Sequence, residues 1–145
     1  EGMAGLFADK NTPETDRTFA EDLLSAVGKT TWVTNEDQMH AVTAASGSSP
    51  AYFFQFLEAM QQGLIEMGLD EKQARELVQQ AMLGSAKLVI ENPQTALSTL
   101  RENVTSKGGT TAAALNVFNQ HQFTDIIKQA MLACVARSQE MEKLF

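Results

Sequence analysis

A strongly apolar segment, residues 52–65, most restricts how this chain can fold. Its apolar side chains recur at helical spacing, as Phe53, Leu57, Met60 and Leu64 illustrate. Further aromatic residues widen the apolar face beyond what one neighbouring helix can cover. The segment therefore predicts burial within a helical bundle or against a second subunit, and a helical homodimer is the simpler explanation.

The chain from Asn35 onward shows further helical patterns and no convincing strand. Gly68 is expected to end one helix in the left-handed conformation, and Asp70 with Gln73 resembles a capping box that starts the next. Asn92-Pro93 predicts a break after that second helix. The predicted helices span residues 35–45, 50–67, 94–102, 110–119 and 123–143, with one more between the cap at Asp70 and the break at Asn92-Pro93, whose apolar stripe runs from Ala74 to Val89.

The first 33 residues have a different pattern. Met3–Ala8 and Thr30–Val33 predict short strands, because β-branched, aromatic and other apolar residues dominate them. Between them a helix is expected over Pro13–Val27, with Thr12 as its N-cap and Gly28 at its end. The predicted fold class is thus mainly α, a helical dimerisation bundle preceded by a short β-α-β unit.

Composition excludes several kinds of partner. The chain has 145 residues and a net charge of -7, which argues against a nucleic-acid surface. No apolar run is long enough to cross a bilayer, and the first residues lack the features of a signal peptide. The single cysteine, Cys134, falls at an apolar helical position and is interpreted as a small core residue. A cytoplasmic protein is expected.

The two histidines, His40 and His121, are far apart in the sequence. Neither has the spacing of a metal ligand or of a base beside a nucleophile. Both are interpreted as surface or turn residues, and no metal site is predicted.

The segment Asn103–Thr111 is the strongest candidate for a binding site. Glycines just before a helix leave backbone N–H groups free at the positive end of the helix dipole, and the neighbouring hydroxyls add donors, so the turn can hold a small carboxylate. It is not a Walker loop, because Lys107 precedes the glycines. Taken alone, such a turn is more often a simple connection between helices.

A second small-residue segment, Ser46–Pro50, also precedes a predicted helix. Its simpler interpretation is an ordinary helix start, with Ser49 as the N-cap and Pro50 in the first turn. Two such turns in one helical domain favour a shared pocket.

Together these two segments resemble the pyrroline-5-carboxylate reductase family. The stretch NVTSKGGTTAAAL, residues 103–115, is similar to the signature of that family, and MHAVTAASGSSPAY, residues 39–52, is similar to a second motif. Both stand in the family's order, and the resemblance extends over the whole chain. It implies an N-terminal Rossmann domain followed by an all-helical domain that dimerises through interlocking helices.

The chain contains no G-x-G-x-x-G fingerprint after a strand. The resemblance therefore implies that residues 1–34 are the C-terminal end of an NAD(P)-binding Rossmann domain and that residues 35–145 form the substrate-binding and dimerisation domain. The chain is expected to be a fragment, inactive alone, of an oxidoreductase of proline biosynthesis. That enzyme would reduce the imine 1-pyrroline-5-carboxylate to L-proline with NADPH or NADH, which the missing domain would mainly bind.

The resemblance also implies roles for individual residues. Thr111 is the predicted catalytic residue, because its hydroxyl would hydrogen-bond the ring nitrogen of the imine. The predicted substrate-binding residues are Asn103, Ser106, Lys107, Gly108, Gly109, Thr110 and Thr111. The predicted residues on the nicotinamide side of the cofactor are Ser46, Gly47, Ser48, Ser49 and Pro50.

Two positions depart from the family pattern. Ser49 stands where the family usually has glycine, which would be unfavourable if that position needed a positive φ. Lys107 stands where proline is common and is interpreted as pointing to solvent. The alternative function is a non-catalytic helical oligomerisation module of a related two-domain dehydrogenase, with the Gly-rich turn as a helix cap only.

Overall fold

The structure is a computed structural model that describes residues 2–144. Glu1, where the predicted Rossmann remnant begins, lies outside the described residues, as does Phe145. The chain forms two compact units, one of residues 1–52 with 126–145 and the other of residues 53–125. The predicted division into 1–34 and 35–145 stays a prediction.

Two strands and seven α-helices follow one another along the described chain. The strands are β1, Gly2–Leu6, and β2, Gly28–Trp32. The helices are α1, Glu14–Ser25; α2, Gln38–Val42; α3, Ser49–Glu66; α4, Glu71–Glu91; α5, Leu97–Asn103; α6, Thr110–Gln120; and α7, Phe123–Glu142. The predicted fold class, mainly α after a short β-α-β start, is confirmed.

The β-α-β unit contains a two-stranded parallel sheet, in which Gly2 pairs with Gly28 and Leu6 with Trp32. Gly28 was predicted to end α1, and this is wrong because α1 stops at Ser25 and Gly28 begins β2. A Cβ atom at position 28 would collide with the backbone of Gly2, so close pairing of the strands requires glycine there. The cap position of α1 is Pro13 and not the predicted Thr12.

The joint between α3 and α4 follows local sequence signals. Gly68 has a φ of +100° and its N–H donates to the carbonyl of Ile65, which confirms the predicted left-handed end of α3. The carboxylate of Asp70 accepts a hydrogen bond from the N–H of Gln73 at 3.0 Å, which confirms the predicted N-cap of α4. The turn thus satisfies backbone groups at both helix ends.

The region from Asn35 to Pro50 is more continuously helical than predicted. Asn35 accepts a hydrogen bond from the N–H of Gln38 just before α2. After α2 the chain enters one π-helical turn, Thr43–Gly47, and α3 begins at Ser49. The predicted turn at 46–50, ahead of a helix starting at Pro50, is therefore wrong, because its small polar residues continue the helical path with one wider turn.

Few side chains are buried in this single chain. Among residues 2–144, the buried apolar side chains are Leu6, Ala44, Ala74 and Val78. By contrast, 52% of Phe53 and 62% of Ile90 are exposed, and both line an apolar groove of about 690 Å³ between α3 and α4. No helix in the described part of the chain has the length and hydropathy to cross a membrane.

Candidate functional site

The loop between α5 and α6 forms a tight turn. Asn103 is the last residue of α5, and the hydroxyl of Thr105 donates to the carbonyl of Arg101 at 2.6 Å. The N–H of Gly109 then donates to the carbonyl of Ser106 at 3.0 Å, which closes a four-residue turn. The third residue of that turn is Gly108, whose φ of +74° explains why glycine is needed there.

Gly109 is needed for a different reason. It lies at the cap position of α6 with a φ of -81°, which any residue adopts. However, a Cβ atom at position 109 would collide with the Ser106 hydroxyl and lie 3.2 Å from the Ser106 carbonyl oxygen. The glycine therefore lets the Ser106 hydroxyl lie directly beside the start of α6.

The first turn of α6 presents unpaired donors. Among the described residues, nothing accepts a hydrogen bond from the backbone N–H groups of Thr110, Thr111 and Ala112. Both threonines are exposed, and Lys107 makes no ion pair with any described residue. Three free N–H groups thus lie at the positive end of an 11-residue helix, where an anion such as a carboxylate is attracted.

The second predicted segment, Ser46–Pro50, begins inside the π-helical turn. The Ser46 hydroxyl donates to the Val42 carbonyl at 3.1 Å, and the Ser49 hydroxyl donates to the Ala45 carbonyl at 2.7 Å. Ser49 therefore does not act as the predicted N-cap, because its hydroxyl bonds back into the preceding turn. Its φ is not positive, so the absence of glycine causes no strain.

Gly47 leaves free space beside the backbone of this segment. A Cβ atom added at position 47 would meet only the Thr43 methyl group, at 4.0 Å. The residue is exposed, so its backbone can be approached closely from outside the chain.

Ser48 contacts helix α7 through Cys134. The Cys134 thiol donates to the Ser48 hydroxyl with 3.3 Å between sulfur and oxygen. Hydrogen bonding with Ser48, and then with Tyr52, lowers the pKa of the Cys134 thiol, while partial burial opposes this shift. The hydrogen bond with Cys134 is the main cause that raises the pKa of the Tyr52 phenol. Cys134 therefore makes a polar contact with Ser48 and is not the predicted core residue.

His40 also contacts α7, so the predicted surface position is wrong for it. Its Nδ1 lies 2.9 Å from the Ser138 hydroxyl and its Nε2 lies 3.4 Å from a Glu142 carboxylate oxygen. Only 13% of the His40 side chain is exposed. His121 follows α6 and is exposed, as predicted.

The two predicted site segments belong to different compact units. The unit of residues 53–125 carries the loop Ser106–Thr111, and the other unit carries Ser46–Pro50 with α7. Within residues 2–144, no group of three or more His, Cys, Asp or Glu side chains is arranged to hold a metal ion.

A family model for pyrroline-5-carboxylate reductase dimerisation matches residues 36–141. The chain belongs to this family. The match includes both predicted site segments and the helices that carry the apolar groove. The family resemblance implied by the two motifs is thus confirmed.

Relatives and solved structures agree with this assignment. The chain is 74% identical to a pyrroline-5-carboxylate reductase of Haemophilus influenzae and 65% identical to one of Pasteurella multocida, over 145 residues in each case. It matches 54% and 53% of their lengths, so the chain spans about half of these curated relatives.

Among solved structures, a pyrroline-5-carboxylate reductase from Coxiella burnetii has a TM-score of 0.89 and 37% identity, covering 94% of this chain and 51% of that one. A Plasmodium falciparum pyrroline carboxylate reductase, solved with NADP bound, has a TM-score of 0.84 and 27% identity, covering 94% of this chain and 52% of that one.

Sequence reasoning missed the contacts between α7 and the segment around Ser48. Cys134 is separated from Ser48 by 86 residues, and Ser138 is separated from His40 by 98. Cys134 and Ser138 are four residues apart and therefore lie on one helix face. This spacing is the one sequence signal that could have indicated a shared contact surface on α7.

Proposed function

We propose that the whole protein carrying this chain is a pyrroline-5-carboxylate reductase, which reduces 1-pyrroline-5-carboxylate to L-proline in proline biosynthesis. The proposal rests on family membership and on the names of the relatives. The observation that carries the chemistry is the set of free N–H groups in the first turn of α6, because they can bind the carboxylate of a negatively charged imino acid.

The loop before α6 provides the groups that a cyclic imino acid requires. The N–H groups of Thr110 and Thr111, with the Ser106 hydroxyl, would bind the substrate carboxylate. Gly108 and Gly109 give the turn its shape, and Asn103 orders its start at the end of α5. Lys107 adds a positive charge without being committed to an ion pair in the described chain.

Thr111 is proposed to bind the ring nitrogen. Its hydroxyl is exposed and has no hydrogen-bond partner among the described residues, so it is free to contact a ligand. A hydrogen bond at the nitrogen would become stronger as the C=N bond is reduced, because the nitrogen gains basicity during the reaction. The task of this residue is therefore orientation and stabilisation.

The cofactor is proposed to be NADPH or NADH, which supplies the hydride that reduces the imine carbon. Ser46, Gly47, Ser48, Ser49 and Pro50 are proposed to lie on the nicotinamide side. The fit rests on Gly47, whose open backbone tolerates close approach of a flat ring. The hydroxyls of Ser46 and Ser49 are bound to backbone carbonyls, which leaves a rigid surface.

A second copy of the chain is the proposed partner. The groove between α3 and α4 is lined by Phe53, Met60 and Ile90 among other apolar residues, and it stays open in the single chain. Burying such a face against an equivalent helical surface would be favourable, at about 25 cal/mol for each Å² removed from water. Any larger assembly would be built from these dimers.

The decisive experiment is an assay of the whole protein with 1-pyrroline-5-carboxylate. Oxidation of NADPH or NADH that depends on the imine, with proline as the product, is the expected result. The isolated 145 residues are expected to give no turnover, because they lack most of the proposed cofactor site. Absence of imine-dependent oxidation by the whole protein would instead favour a non-catalytic oligomerisation module. A cytoplasmic location stays a prediction.

A further inference from the structure

The polar side chains around the π-helical turn follow one rule, with one exception. The hydroxyls of Thr43, Ser46 and Ser49 each donate to the backbone carbonyl four residues earlier, at 3.0, 3.1 and 2.7 Å. Ser48 differs, because its hydroxyl accepts a hydrogen bond from Cys134 on α7. It is therefore the residue of this segment whose side chain connects to another helix.

The backbone of Ser48 forms hydrogen bonds on both sides of the junction between the π-helical turn and α3. Its N–H donates to the Thr43 carbonyl at 2.8 Å, which is the wide hydrogen bond of the π-helical turn. Its own carbonyl accepts a hydrogen bond from the Ala51 N–H at 3.2 Å, in the first turn of α3. A side-chain contact at this residue therefore acts at the point where the chain passes from the π-helical turn into α3.

We infer that Cys134 is a positioning residue for the cofactor: its contact with Ser48 holds the segment Ser46–Pro50 in the orientation that receives the nicotinamide end. The inference rests on the proposed function and adds a residue that lies 84 positions beyond Pro50 in the sequence. Cys134 itself touches neither substrate nor cofactor in this scheme. It acts through Ser48.

The chain offers a matched control on the same helix. Ser138 lies one turn after Cys134 and makes a hydrogen bond of the same kind, but to His40 in α2. Ser138→Ala therefore removes one contact between α7 and the preceding helices without touching residue 48. If Cys134 served only to stabilise the fold, Cys134→Ala and Ser138→Ala would have the same effect on NADPH binding.

The test compares Cys134→Ala, Cys134→Ser and Ser138→Ala in the whole protein. Fluorescence titration gives the Kd for NADPH, and steady-state kinetics give separate KM values for NADPH and for the imine. Cys134→Ala is expected to weaken NADPH binding about two- to tenfold, the effect of losing one hydrogen bond, with the KM for the imine unchanged. Cys134→Ser keeps a donor and is expected to restore the wild-type Kd, and Ser138→Ala is expected to leave it unchanged.

Two results would overturn the inference. One is a wild-type Kd for NADPH in a folded Cys134→Ala protein. The other is an equal loss in Ser138→Ala, which would assign both contacts to stability. Thermal unfolding of each variant separates these outcomes from loss of fold. If the wild-type protein binds NADPH but does not reduce the imine, the proposed reaction fails while the binding test of Cys134 still applies.

Discussion

Thr111 offers the sharpest test of the proposed chemistry at the scale of a single residue. Its exposed hydroxyl lies in the same first turn of α6 as the free N–H groups, and its loss would remove the proposed contact with the ring nitrogen. Thr111→Ala is expected to lower kcat/KM for the imine about 10- to 100-fold, as for a hydrogen bond to a group that gains charge. Thr111→Ser should recover most of the activity.

The control for Thr111 is Thr99→Ala, which removes an exposed hydroxyl on α5 outside the proposed site. Its kinetics are expected to match the wild type. Wild-type kinetics in Thr111→Ala as well would remove the residue from the mechanism. Light scattering of both variants should give the same mass as the unchanged protein, because neither position lies in the apolar groove.

Gly109 tests the shape of the substrate loop. An alanine side chain at this position would displace the Ser106 hydroxyl from its place beside α6. Gly109→Ala is therefore expected to raise the KM for the imine about tenfold, equivalent to about 1.4 kcal/mol, with the KM for NADPH unchanged. Separate titrations of the two substrates measure this. A rise in both KM values would indicate a general distortion and contradict the specific role.

At the scale of helices and strands, the sequence predicted what local chemistry determines. Gly68, Asp70 and Pro93 act on their own neighbours, so the ends of α3 and α4 were predicted to within two residues. The π-helical turn was missed, because the small residues at 46–49 are equally compatible with an open turn. The hydrogen bond between Cys134 and Ser48 depends on two distant segments coming together, which periodicity does not report.

The same distinction applies to the candidate site. The glycines of the loop before α6 were recognisable from sequence, and the structure explains them separately, Gly108 by its positive φ and Gly109 by the adjacent Ser106. The assignment of particular atoms to a substrate came from family resemblance and not from spacing. The exposure of the loop's side chains and the presence of free N–H groups depend on the folded conformation of the loop, which the sequence alone does not give.

Asp70 provides a prediction for a single helix end. Its carboxylate accepts a hydrogen bond from the Gln73 N–H, so Asp70→Ala should lower the free energy of unfolding by about 1 kcal/mol. Asp70→Asn keeps the acceptor and should be nearly neutral. Denaturant unfolding at one fixed protein concentration gives both values. An equal loss in the asparagine variant would attribute the effect to the negative charge at the helix start.

For the whole molecule, the open groove between α3 and α4 predicts the assembly state. Ile90 lines this groove and is 62% exposed in the single chain. Ile90→Glu is expected to lower the mass measured by light scattering at micromolar concentration, because a buried unpaired carboxylate would cost several kcal/mol at the interface. The matched control, Lys87→Glu, changes charge on the same helix outside the groove and should leave the mass unchanged. An unchanged mass in both variants would contradict this interface.

The scarcity of buried side chains has a consequence for how the protein is made. In the unit of residues 53–125, Ala74 and Val78 are the described apolar side chains that the chain itself covers fully. If a second copy supplies the remaining cover, folding and assembly are one bimolecular reaction, and each tenfold dilution lowers the free energy of unfolding by about 1.4 kcal/mol. A newly synthesised chain would then stay incompletely folded until it meets another, so the rate of synthesis would govern how much folded protein a cell accumulates.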